Sequence, residues 1–281
     1  MPMSVLKDYK KRREFLVCID SDGCAMDTMD CKHIYCFGPC MVDEWGLGEW
    51  KEEVLEYWNQ VNLYTMTRGI NRFLALGKVL LHVSQAYRNI PQIQQFVEWT
   101  EHANELSNDS VREAYGHTGQ EIFKKALDWS LAVNLAITKL PEDLKKPFDR
   151  AADGVKAAHR AADVAIVSSA NEEAVREEWE KFGMMESVEI CMTQAEGSKA
   201  YCIGQMLQKG YDPSHVLMVG DAPGDKAAAE ANGVLYYPIL VRREAESWRR
   251  FTDEALPKFL EGSYKGEYQE QVVREFLNNL S

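Results

Sequence analysis

Apolar and polar positions alternate along the chain in two regimes. Residues 15–19 (Phe15-Leu-Val-Cys-Ile19) form a short continuous apolar run that ends in Asp20. Such a run predicts a strand buried on both faces, as in a parallel sheet. From there to residue 163, strand-like runs are scarce. Residues 49–61, 67–86, 90–104 and 119–139 carry apolar positions at helical spacing and predict four helices. Beyond residue 163 the period shortens. Residues 164–167, 188–191, 216–219 and 234–237 predict four short strands, separated by helical patterns at 172–182, 198–209 and 225–232. Strands alternating with helices predict βαβ units and a parallel sheet. Residues 242–280 predict two or three further helices.

The lone first strand needs sheet partners, so it is expected to join the later sheet, with the helical block inserted between them. Pro141 and Pro147 flank residues 142–146 and mark the expected return from the insertion. The expected organisation is a Rossmann-like α/β core over residues 1–29 and 147–281, a parallel sheet flanked by helices. An all-helical domain is expected over residues 30–146.

Composition narrows the class. The chain has 281 residues, 46% apolar and 27% charged, which is globular and argues against disorder. Lys plus Arg is 32 against 44 Asp plus Glu, a net charge of −12. With no long basic run, nucleic acid and anionic membrane are not expected partners. No run of about 18 apolar residues predicts a membrane span, and residues 15–19 are too short for a secretory core. Seven cysteines, an odd number, fit reduced thiols and a cytoplasmic location.

Four features carry candidate chemistry. Asp20-Ser-Asp-Gly23 lies at the carboxyl end of the first predicted strand, where open α/β sheets bind ligands. Two carboxylates two residues apart can divide nucleophilic or metal-binding work from proton transfer; the plain alternative is an Asx-type turn. Val219-Gly-Asp-Ala-Pro-Gly-Asp225 also follows a strand. Its Asp221 and Asp225 can face one point, and such hard oxygen ligands suit Mg²⁺; alternatively Asp225 caps a helix. Ser168 ends the strand pattern 164–167, its hydroxyl a hydrogen-bond donor to a phosphoryl oxygen or a turn or helix cap. Lys199, in Gly197-Ser-Lys199, opens a helical stretch, as part of an anion site or as a solvated charge.

The order strand-Asp-x-Asp-Gly, strand-Ser, Gly-Ser-Lys, strand-Gly-Asp-x-x-x-Asp resembles the haloacid dehalogenase superfamily of aspartate-nucleophile hydrolases. The resemblance covers residues 15–23 and about 149–238, with an insertion where members carry a cap. It implies that Asp20 is the phosphorylated nucleophile and Asp22 the general acid and base. Ser168, directly after the apolar run, and Lys199 would bind the phosphoryl group. Asp20, Asp221 and Asp225, with the backbone carbonyl of Asp22, would hold Mg²⁺. One departure is Cys24, where many members carry Thr.

A phosphate ester is an anion, so an attacking carboxylate needs its charge neutralised, which Mg²⁺ would do. Lys199 and Ser168 would stabilise the equatorial oxygens. Expulsion of halide needs no acid, so Asp22 favours phosphoryl chemistry over dehalogenation. The expected function is a Mg²⁺-dependent phosphatase acting on a small phosphorylated metabolite. The alternatives are a phosphomutase, a phosphonate hydrolase that would need a cap lysine such as Lys32 or Lys51, and a non-catalytic binding module. The substrate's identity and the oligomeric state stay open.

Within the insertion, Arg68, Asn71 and Arg72 concentrate hydrogen-bonding groups near a helix break and are candidate substrate contacts; helix-surface and capping roles are equally compatible. Lys32 and His33 are candidates for the mouth of the site. Cys24, Cys31, Cys36 and Cys40 with His33 have permissible zinc spacing, but no second pair completes it, so buried thiols are favoured. Trp45, Trp50, Tyr57 and Trp58 are expected to pack a core.

Overall fold

A computed structural model of the protein describes residues 5–281. Every residue of β1, Leu16–Ile19, is buried. It lies in the middle of a five-stranded sheet with β4 (Asp163–Val167), β5 (Ile190–Met192), β6 (Val216–Gly220) and β7 (Leu235–Pro238). The order is β5-β4-β1-β6-β7 and each pairing is parallel. The lone strand thus finds its partners more than 140 residues downstream: Leu16 pairs with Asp163 on one side and Val216 on the other. The register brings Asp20, Ser168 and Asp221 to the same carboxyl edge.

A two-residue antiparallel ladder completes this picture. The segment Met26–Asp27 (β2) pairs with Lys146–Pro147 (β3), and the Phe148 amide donates to the Ala25 carbonyl at 3.0 Å. Two residues a side are below the length at which alternation can be read from sequence. The ladder ties the outgoing chain to the returning chain directly after Asp22.

The chain divides into two compact units. The first holds the residues up to Met29 together with Glu142–Ser281, and the second is Asp30–Pro141. Residues 142–146, placed with the insertion by the sequence pattern, belong to the first unit.

Helices Ala151–Ala161, Glu172–Lys181, Lys199–Leu207 and Pro223–Ala231 follow the strands of the first unit. The tail forms Glu244–Arg250, a π-helical turn Phe251–Ala255, Leu256–Leu260 and Glu267–Asn279. Val17, Ile19, Ile166, Val219, Trp179, Trp248 and Phe251 share one continuous core. At the other end of the sheet the buried Asp163 carboxylate accepts the backbone N–H groups of Arg12 and Arg13, both at 2.9 Å, and the Tyr211 hydroxyl. That fixes the segment leading into β1.

The second unit is all helix among its described elements. Its main helices are Gly38–Trp45, Lys51–Asn59, Arg72–Ala86, Ile93–His102, Asn108–Thr118 and Glu121–Thr138. Three of these match the sequence pattern at 67–86, 90–104 and 119–139, and Lys51–Asn59 lies within 49–61. Trp58 and Trp129 are fully buried with ring centroids 5.9 Å apart, and Phe37 and Phe73 pack beside Trp129. Trp45 is also buried, whereas Trp50 and Tyr57 are half-buried against Tyr87 and His82.

Candidate active site

The site grows from the ends of β1 and β6. Asp20 follows Ile19 with its backbone N–H still in the ladder, donating to Val219 O at 3.0 Å. The chain then turns tightly: the Ser21 carbonyl accepts the amides of Cys24, Ala25 and Met26 at 3.3, 3.0 and 2.8 Å. Gly23 sits at φ 79°, a left-handed conformation that favours glycine. The turn leaves Asp20 at the strand end, and two residues on Asp22 Oδ1 accepts the Thr28 hydroxyl at 2.5 Å.

On β6 the strand ends in Gly220, and Pro223 starts the next helix. Asp225 folds back so that its Oδ2 accepts the Ala222 amide at 3.0 Å, one half of a capping box. Glycine at 220 is required by this approach, because a Cβ there would lie 2.3 Å from Asp225 Cγ. The Tyr236 hydroxyl donates to Gly220 O at 3.0 Å and fixes the strand end from behind.

Lys199 is the first residue of its helix. Ser198 caps that helix by accepting the Tyr201 amide at 3.2 Å, and Gly197 makes the turn before it at φ 132°. This orients the lysine inward. Its Nζ lies 2.8 Å from Asp20 Oδ2 and 2.6 Å from Asp225 Oδ1. Asp20, Asp221 and Asp225 each offer a carboxylate oxygen to a cluster whose atoms all lie within 4.8 Å of one another. Their exposures are 5%, 1% and 0%, so water screens the cluster poorly.

The Lys199 ammonium thus bonds two of the three clustered, buried carboxylates. Burial pushes the Asp20 carboxyl well above the usual range; Lys199 pulls it back, and Asp225 and Asp221 push it up again. For Lys199 burial opposes the charge, but Asp20 and Asp225 outweigh burial and raise its pKa. Three gathered carboxylate oxygens are hard donors, the chemistry that a small divalent cation takes.

Ser168 is buried at the end of β4, where its Oγ accepts the Ala170 amide at 3.2 Å. The Asp22 carboxylate is not a member of the three-carboxylate cluster. Cys24, at the family's frequent Thr position, points its thiol at Val219 O, 3.6 Å away. Among the described residues, Cys24, Cys31, Cys36, Cys40 and His33 form no cluster able to hold a metal, and none of the seven cysteines is in a disulfide.

In the helical unit, Arg68 is buried and donates to Leu63 O at 2.7 Å. Asn71 caps the helix Arg72–Ala86 by accepting the Phe73 amide at 2.9 Å, and donates to Leu106 O. Arg72 bonds Ser130 and Asn134 at 3.0 and 2.8 Å over the Phe37 ring, and burial lowers its pKa to about 10. Each of the three thus has a packing or capping task within its own unit. His33 Nδ1 accepts the Trp58 indole N–H at 3.2 Å, and Lys32 is buried.

The sequence profile of haloacid dehalogenase-like hydrolases matches residues 88–237, more than half of the chain. The chain belongs to the haloacid dehalogenase-like hydrolases. The matched stretch contains Ser168, Lys199, Asp221 and Asp225; Asp20 joins this hydrolase's site through the β1 pairing. No curated protein sequence matches the chain. A solved structure of a candidate phosphoglycolate phosphatase from Lactobacillus delbrueckii subsp. bulgaricus superposes with a TM-score of 0.53 at 12% identity, covering 91% of this chain and 100% of that one. A candidate β-phosphoglucomutase from Bacteroides vulgatus gives a TM-score of 0.49 at 13% identity, covering 92% and 94%. At 12% identity the likeness to the first of these concerns the fold alone, an α/β architecture built on a parallel sheet.

Residues that the sequence pattern did not single out also shape the site. Gly220, Thr28 and Tyr236 touch it directly. The Gly-Asp dipeptide after an apolar strand was the one available signal for Gly220. Thr28 and Tyr236 had none, because their roles depend on side-chain approaches that the chain does not encode locally.

Proposed function

We propose that this hydrolase is a Mg²⁺-dependent phosphatase that cleaves a small phosphorylated metabolite through an aspartyl-phosphate on Asp20. The observation that carries this reading is the Asp20 carboxylate at the end of β1, 2.8 Å from Lys199 and clustered with Asp221 and Asp225. Asp20, Asp221 and Asp225 would hold the cation, with the Asp22 carbonyl contributing by family resemblance. Mg²⁺, when bound, offsets the negative charge that would otherwise keep an anionic ester from an anionic nucleophile.

Asp20 attacks phosphorus: an Oδ–P bond forms while the bond from phosphorus to the ester oxygen breaks. Asp22, entering protonated, gives its proton to the departing alkoxide. Lys199 and the Ser168 hydroxyl bind the remaining phosphoryl oxygens, where charge accumulates in the transition state. Asp22 then takes a proton from water as its oxygen attacks the aspartyl-phosphate, releasing inorganic phosphate and restoring the Asp20 carboxylate. Thr28 holds Asp22 Oδ1 and so orients this acid and base. The helical unit Asp30–Pro141 serves as the cap that selects the leaving group. Free, largely buried thiols support a reducing, cytoplasmic setting.

A panel of phosphate monoesters assayed with Mg²⁺ tests this. Turnover that EDTA abolishes and Mg²⁺ restores is expected, and Asp20→Asn should lose it. Full activity in Asp20→Asn, or no ester hydrolysed, overturns the mechanism.

A further inference from the structure

We propose that Trp179 and Trp248 are positioning residues that hold the Asp20–Asp22 turn in register with the rest of the site. The inference rests on the phosphatase reading for its kinetic consequence, but its geometry stands apart from it. The Trp179 indole N–H donates to Ser21 Oγ at 2.9 Å, and the Trp248 indole N–H donates to Cys24 O at 2.9 Å. Both rings are fully buried and come from different helices, Glu172–Lys181 and Glu244–Arg250.

Ser21 lies between the two aspartates, and its carbonyl already serves three amides of the turn. Those internal bonds shape the turn without anchoring it to anything outside. Among its outward ties are the Asp20 amide to β6, Lys199 to the Asp20 carboxylate, the Phe148 amide to Ala25 O, the Met26–Pro147 ladder, the Cys24 thiol to Val219 O, Thr28 to the Asp22 carboxylate, and the two indoles. The thiol tie is weak, because sulfur is a poor donor. The indoles are different: each is a donor only, on a large side chain with few rotatable bonds, packed where it cannot turn away. Trp248 is itself confined, since a Cβ on Gly154 would lie 2.4 Å from its Cε3. A shift of Ser21 moves Asp20 and Asp22 together, away from Lys199 and from Thr28.

The test is Trp179→Phe, which keeps most of the ring and removes the donor. With p-nitrophenyl phosphate and Mg²⁺, kcat should fall about tenfold or more, as small displacements of a reacting group do, with KM essentially unchanged. In a Ser21→Ala background, where the acceptor is gone, the same substitution should cost little further, the signature of two residues acting through one bond. Hydrogen exchange gives a readout independent of turnover: amides 24–26 should exchange about tenfold faster in Trp179→Phe, while those of β4 stay protected. Wild-type kcat and exchange in Trp179→Phe overturn the proposal, as do losses that simply add to those of Ser21→Ala. If Trp179→Phe does not fold, Ser21→Ala alone must show the slowed kcat and faster exchange. If the wild-type protein hydrolyses no ester, the phosphatase reading has failed and the exchange result alone decides the positioning role.

Discussion

Gly220→Ala is the smallest perturbation that reaches the candidate site through packing alone. An alanine Cβ at this position would lie 2.3 Å from Asp225 Cγ, 2.4 Å from its Oδ2 and 2.5 Å from its Cβ. Carbon contacts settle near 3.5–4.0 Å, so Asp225 must retreat by about 1 Å or more. Its Cβ is fixed to a helix, so rotating the carboxylate does not relieve the clash. Retreat strips the Ala222 amide of its acceptor and the Lys199 ammonium of its 2.6 Å partner. Overpacking of this kind costs about 1–3 kcal/mol, and a lost bond to a charged group about 1.5–3 kcal/mol. A net loss of about 3 kcal/mol in the unit that holds the sheet corresponds to a Tm lower by roughly 6–12 °C. Saturating Mg²⁺ should raise the wild-type Tm, by about 2.7 kcal/mol of stability at a hundredfold excess over Kd, and raise that of Gly220→Ala much less. Circular dichroism melts with and without Mg²⁺ measure both quantities. In an Asp225→Ala background, which removes the obstructing carboxylate, Gly220→Ala should cost less than about 1 kcal/mol. A Gly220→Ala protein with wild-type Tm and wild-type Mg²⁺ response would refute the packing on which this rests.

Two further expectations are independent of turnover. Burial pushes the Cys191 and Cys202 thiols up to about 11 and also raises Cys18, Cys24 and Cys40, so what sets Cys40 apart is access: it is the one half-buried thiol among the seven. Ellman's reagent should therefore find one fast-reacting thiol in the native protein and seven after denaturation; several fast thiols would contradict the buried assignment. Hydrogen bonds from Lys145 and Lys181, at 2.8 and 2.9 Å, lower the Glu142 carboxyl from 4.5 to about 2. A depressed carboxyl stabilises the fold above its unfolded pKa and loses that contribution as pH falls from about 4.5 toward 2. The side chain is 65% exposed, so screening leaves at most about 0.5 kcal/mol. Glu142→Gln should show a small Tm deficit at pH 7 that shrinks toward pH 3, and a deficit unchanged in acid would refute the ion-pair account.

The sheet and the clustered carboxylates were legible because each rests on a local pattern. The strands are short runs buried on both faces, and their ends place Asp20, Ser168 and Asp221 without further information. The isolated first strand even dictated its own pairing, since one parallel strand cannot stand alone. Harder to read were elements whose stability comes from elsewhere. Helix Ala151–Ala161 is rich in small residues, and Gly154 is small because Trp248 lies against it. Gly38–Trp45 begins at a Gly-Pro pair that resembles a loop signal until Leu55 and Trp58 are seen packed on Gly38. Arg68, Asn71 and Arg72 were visible as a polar group, but polarity does not distinguish a helix cap from a ligand contact; Asn71 is a cap. Trp179 and Trp248 reach partners 158 and 224 residues away, and no window of sequence displays such a bond.

The electrostatics of the cluster bear on what kind of protein keeps it. An ion pair taken out of water is often no better for stability than apolar side chains of the same volume. Here three buried carboxylates, Asp20, Asp221 and Asp225, crowd within one small volume, and the Lys199 ammonium bonds two of them. Burial raises the Asp20 pKa first of all, and the neighbouring Asp225 and Asp221 carboxylates add to that rise. A scaffold that only binds a partner through its surface gains nothing from such an arrangement, and apolar residues would serve its core at least as well. On the proposed phosphatase reading, a divalent cation and a phosphoryl group would offset this crowding: Asp20, Asp221 and Asp225 would hold the cation, and Lys199 would bind an anionic oxygen. Buried carboxylates crowded at the end of a central strand are therefore better understood as a site prepared for charged ligands than as a device for stability.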